Sequence, residues 1–188
     1  MKQVFLWGGG GLLVAGALIA LFTFVDPSGV SQTATPEVSG PDYSREMPYE
    51  GAQHHAEGTA LEYESNPPTS GPHWPDPLLD GLYDTEKPDE AIVHSLEHGR
   101  IWVSYRPEIG QEAVDSLKGI LRAQARVILT PREANDTDIA IAAWTRLDAF
   151  NVEEISADEL EGRILDFIAR WRDKGPEYVP QMTGKPYD

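Results

Sequence analysis

Between Val4 and Val25 the chain runs for 22 residues without a charge, drawn mainly from Leu, Val, Ala, Phe and Gly. At about 1.5 Å per residue this makes roughly 33 Å of helix, enough to cross a hydrocarbon core of ~30 Å. A cleavable leader has a shorter apolar region, ~7–15 residues, and ends in a small-x-small site. Here the run ends in Phe24-Val25-Asp26-Pro27. The reading is an uncleaved transmembrane anchor over residues 1–25, so whatever folds in water must do so after it. Residues 26–48 are dominated by Pro, Ser, Thr, Gly and acids and bury too little apolar surface to fold, which reads as a flexible linker. Residues 49–188 remain, a normal length for one domain.

Lys2 and the amino terminus precede the apolar run, and acidic residues follow it. The positive-inside rule then puts the folded part outside the cytoplasm, on a single-pass membrane protein. Fourteen basic and 31 acidic residues lie beyond position 25, a net charge of −17. So acidic a domain repels phosphate backbones, which excludes nucleic acid as a partner. The chain has no cysteine. That removes disulfides, lipid attachment through cysteine, thiolate zinc sites, iron–sulfur clusters, covalent haem and blue copper centres.

Two halves differ in texture. Residues 49–90 are loop-rich and contain Pro67-Pro68-Thr69-Ser70-Gly71-Pro72-His73-Trp74-Pro75, whose four prolines restrict the chain before it folds. Pro88 opens a short helix with Asp89 and Glu90 in its first turn and Gly99 as its stop. The remainder is regular. Ile101 to Tyr105 reads as a strand, and Ile109, Ala113, Val114, Leu117, Ile120 and Leu121 recur at helical spacing. Val127 to Leu129 and Ile139 to Thr145 read as further strands, the latter apolar enough for burial on both faces. Ser156 and Glu159 make a capping box ahead of Leu160, Ile164, Phe167 and Trp171, and Gly175-Pro176 ends that helix. The order β-α-β-β-α predicts an α+β domain, a small sheet with two packed helices, following the loop-rich half.

All five histidines fall between His54 and His98. His94 and His98 are four apart on the short helix, which puts both rings on one face. His73 sits on the proline-stiffened loop, and His54 and His55 open the domain. Imidazole is the common protein ligand for Cu(II) and Zn(II), and in the absence of thiolates it must supply most of a site's donors. Glu97 lies between the paired histidines, able to ligate or to orient a ring. The same residues spell His-x-x-Glu-His, the inverted zincin pattern of a zinc hydrolase. That chemistry needs a later acid, and Glu154, Glu159 and Glu161 are on offer. His73 then overfills a catalytic zinc site that must keep one position open.

Three stretches taken together resemble a known family: Pro67-Pro68-Thr69-Ser70-Gly71-Pro72-His73, Gly81-Leu82-Tyr83-Asp84, and Val93-His94-Ser95-Leu96-Glu97-His98-Gly99. They are similar to the membrane-anchored prokaryotic family of domain of unknown function 3105, with its Pro-Pro-Thr-Ser-Gly-Pro-His loop and Val-His-x-Leu-Glu-His-Gly segment. Ala143-Trp144 and Gly175-Pro176-Glu177 fit the same pattern. The resemblance implies that His73, His94 and His98 belong to one shared motif set, and implies neither a reaction nor a ligand.

The sequence thus leads to an extracytoplasmic transition-metal site built from His73, His94, His98, one of His54 and His55, and Glu97. Copper is favoured over zinc, for capture, storage or delivery to an acceptor protein. The competing expectation is a non-catalytic accessory subunit of a membrane complex, motivated by Gly8 to Gly11 in the anchor, where small residues permit close helix contact.

Overall fold

Every residue of the strand at 101–105 is buried, and the architecture follows from covering both of its faces. The computed structural model describes residues 37–181 and 183–187. In chain order these form β1 (Arg45–Glu46), β2 (Gly81–Leu82), α1 (Asp89–Glu97), β3 (Ile101–Tyr105), α2 (Gln111–Leu121), β4 (Val127–Pro131), β5 (Ile139–Ala143), β6 (Arg146–Phe150) and α3 (Ala157–Trp171). Single 3-10 turns stand at Pro107–Ile109 and Val152–Glu154. The anchor predicted over 1–25 lies outside the described residues. Among these, no helix is long and apolar enough to cross a membrane.

The sheet has the order β1-β6-β5-β3-β4-β2. Strand β3 pairs parallel with β4 and antiparallel with β5, and β5 pairs antiparallel with β6. The parallel pair needs a crossover, which α2 supplies. Alternation along β3 then builds two cores. Ile101, Val103 and Tyr105 join Val114, Leu117 and Leu121 of α2 and Leu160, Ile164, Phe167 and Ile168 of α3. Trp102 joins Ala91, Ile92 and Leu96 of α1, together with Leu78 and Leu147. Each fully buried aliphatic side chain contributes roughly 1.5–3 kcal/mol through the water it leaves. Replacing Trp102 by Ala, which empties the centre of the second core, costs about 3–5 kcal/mol.

The mixed α+β class matches expectation, but the domain is larger than β-α-β-β-α. Three of the six strands are additions. β1 and β2 have two residues each, too few to show a period. β6 hides because Arg146 and Asp148 interrupt its apolar run; Asp148 is nonetheless buried, held by Arg163 of α3 through two 2.6 Å bonds. The strand predicted over 139–145 stops at Ala143, and Trp144 and Thr145 turn the chain back, Thr145 taking a φ of 56°. Nor do residues 37–48 behave as the free linker their composition predicts. The amides of Ser39 and Gly40 donate to the Asp166 carboxylate on α3, and β1 pairs with β6.

Helix α1 is buried from Ala91 through Glu97, including its polar side. One side packs on the sheet. Over it lies the loop-rich segment, tied down by the amides of Trp74 and Leu78, which donate to the carbonyls of Glu90 and Ala91. Histidines enter the interior between these layers.

Candidate metal centre

His73 reaches the site on a two-stranded crossing of loops. The Gly71 amide donates to Gly51, the His73 amide to Gln53, and the His55 amide to His73, so residues 53–55 run parallel to 71–73. Gly71 has a φ of 123°, a conformation open to glycine and strained for other residues. Bridge partners project to the same side of a ladder and the next residue to the other. His54 is the partner of His73 and joins it; His55 is exposed and belongs to neither of the clusters described below.

Backbone carbonyls then orient the rings. His73 Nδ1 lies 2.9 Å from the Gly71 carbonyl and His94 Nδ1 lies 2.7 Å from that of Trp74. A carbonyl only accepts, so both Nδ1 atoms carry the proton and both Nε2 atoms present a lone pair. His94 Nε2 stands 3.1 Å from His98 Nε2. His73 Nε2 stands 3.2 Å from Glu97 Oε2 without forming a hydrogen bond, and it is fully buried. The rings of His54, His73 and His94 lie with centroids 4.7 to 4.9 Å apart.

His98 can donate its Nε2 proton to the His94 lone pair, but the His73 lone pair and the Glu97 carboxylate repel unless a cation or a proton stands between them. Burial lowers the pKa of all three interior histidines, that of His94 to about 3, so neutral imidazoles fill the site at neutral pH. Burial and then the nearby Glu177 raise the Glu97 carboxyl above its ordinary value. Ligand atoms on a tetrahedral ion with ~2.0–2.1 Å bonds lie roughly 3.3 Å apart. The contacts observed here, 3.1, 3.2 and 3.4 Å, are of that size. Two overlapping sets bring their donor atoms within 4.8 Å of one another: His54, His73, His94 and Glu97, and His94, Glu97, His98 and Glu177.

Glu177 has no place among the ligands expected from sequence. It follows the Gly175-Pro176 stop, and its amide donates to the Glu97 carbonyl at 3.1 Å, which brings its carboxylate 3.4 Å from His98 Nε2. A Cβ at position 175 would lie 2.1 Å from that same Glu97 carbonyl oxygen, so glycine alone lets the chain pass here. The acids available for a hydrolase, Glu154, Glu159 and Glu161, are in neither set.

A family model described as Protein of unknown function (DUF3105) matches residues 54–183. The chain belongs to this family. No curated protein and no solved structure matches it. The DUF3105 match begins at His54 and takes in every residue of both ligand sets, whereas β1 and the residues before it fall outside.

Proposed function

We propose that this DUF3105 protein binds a single transition-metal ion between α1 and its overlying loops, with copper favoured over zinc. Its work is capture, storage or delivery of that ion at the outer face of a membrane, to which residues 1–25 anchor it. One observation carries the reading: His73 spends Nδ1 on a backbone carbonyl and aims an Nε2 without a hydrogen bond at the Glu97 carboxylate inside the protein, beside a His94 whose Nδ1 is held in the same way. That is the arrangement in which outer-shell acceptors fix a metal-binding tautomer. Histidines that merely tied loops together, as in an accessory subunit, would spend both nitrogens on protein partners, because an unpaired buried acceptor costs about 1–3 kcal/mol. The donor set of imidazole nitrogen and carboxylate oxygen, without sulfur, suits Cu(II) and Zn(II).

The test is metal retained by the full-length chain in detergent after dialysis against Cu(II) or Zn(II). The wild type should keep about one equivalent, and His94→Ala should lose it while circular dichroism stays native, since His94 is the imidazole common to both ligand sets. Retention unchanged in that variant would contradict the proposal, as would a wild type that keeps no metal.

A further inference from the structure

The two ligand sets are not independent. Both contain His94 and Glu97; the first adds His54 and His73, the second His98 and Glu177. Each is complete in number for a four-coordinate ion. A neutral imidazole nitrogen has one lone pair, so His94 Nε2 cannot serve two ions at once. Simultaneous filling would leave one position a ligand short.

We propose, resting on the metal reading above, that the centre holds one divalent d-block cation in either of two alternate positions, exchanged by trading His54 and His73 for His98 and Glu177 while the ion stays on His94 and Glu97. Each position has one ligand open to solvent. His54 is exposed on the loop that begins the matched domain, and the Glu177 side chain is 60 % exposed on the segment after α3. The residues between them are buried: His73 at 0 %, His94 at 4 %, Glu97 at 8 % and His98 at 7 % exposure. An ion taken up at one position therefore has a ligated path to the other through the buried His94 and Glu97. The positions also differ in character. Three imidazoles and a carboxylate make the His54 position the more nitrogen-rich, and two of each make the Glu177 position the harder.

His98 is suited to exchange. Its Nδ1 is buried without a hydrogen-bond partner, so no protein acceptor fixes its tautomer as Gly71 and Trp74 fix those of His73 and His94. Its carbonyl is held instead, accepting from Arg100 and Arg126 at 3.1 and 2.8 Å. The main chain is thus anchored in place while the ring turns its Nε2 to His94 and Glu177 and keeps Nδ1 unbonded.

A thermodynamic cycle tests this on the full-length chain, with Zn(II) affinity read by competition with a chelating dye. His54→Ala and Glu177→Gln alter exposed side chains, so the fold is kept, and thermal melting of the metal-free variants checks this. If the positions alternate, each single variant keeps one equivalent of zinc, because the other position remains whole. The second substitution should then cost at least about tenfold more affinity in the background of the first than alone. Single effects that simply multiply would overturn the alternation in favour of one fixed site. A second equivalent bound tightly by the wild type would overturn it in favour of a two-ion centre. A wild type that binds no zinc or copper would overturn the metal reading and this proposal together.

Discussion

His94 is held neutral by its surroundings. Burial lowers its pKa to about 3 and lowers those of His73 and His98 as well, so the folded chain resists protons that the unfolded chain accepts near pH ~6.5. The unfolded state thus binds more protons as pH falls, and stability declines from about pH 6.5 downward, with the His94 contribution continuing to about pH 3. Glu97 acts in the opposite sense. Its carboxyl, raised above 4.5 by burial and by Glu177, protonates first in the folded chain and returns part of the loss in more acid solution. In urea denaturation of the chelator-treated chain, stability should drop between pH 6.5 and 4, and His94→Gln should remove up to about 1.4 kcal/mol per pH unit from the slope. An identical slope in the variant would show that His94 is not buried neutral. Bound zinc or copper should be released over the same acid range, as protons compete for the lone pairs.

Among the elements, α1 and the segment after α3 decide whether the ligands meet. Arg100, 2 % exposed, joins them: its guanidinium donates to Asp80, to the His98 carbonyl and to the carbonyls of Val179 and Gln181. Arg100→Ala leaves the Asp80 charge and three carbonyls without that partner, and should cost about 3–5 kcal/mol in chemical denaturation. It should also expose residues 177–181 to limited proteolysis; a variant as resistant as wild type would contradict this role. Gly175→Ala forces a methyl against the Glu97 carbonyl and should lower stability by about 1–3 kcal/mol. Much at this scale was legible in the sequence. The strand at 101–105, the burial of 139–143, the spacing in α2 and α3, the Ser156 cap and the histidine pair on one helix face all correspond to local patterns that the structure keeps. Glu177 was not legible as a ligand. Only its place in the Gly175-Pro176-Glu177 motif hinted at a role, because a main-chain bond to Glu97, 80 positions earlier, is what aims it. Choosing His54 over His55 required the bridge to His73, a pairing between loops with no strand period to announce it.

At the scale of the whole molecule, the sheet separates two tasks. Helices α2 and α3 close the core on one face. On the other, α1 and the proline-rich loops enclose the ligands, so the site rests on buried elements and not on a mobile rim. Residues 37–48 belong to this body despite their linker-like composition, since backbone hydrogen bonding to Asp166 and β6 ties them down where apolar burial would not. Shortening the chain to 49–188 leaves the Asp166 carboxylate, 5 % exposed, without its two amide donors. Such a chain should unfold at lower temperature than one beginning at residue 37, and equal melting would contradict the docking. The claim on which the functional account rests is that His73 and His94 present Nε2 to one ion. X-ray absorption at the zinc edge of the loaded full-length chain reads that shell directly. The account predicts a four-coordinate nitrogen and oxygen shell near ~2.0 Å with at least two imidazoles, and the loss of one imidazole in His73→Ala. An oxygen-only shell, or one unchanged by that substitution, would contradict it.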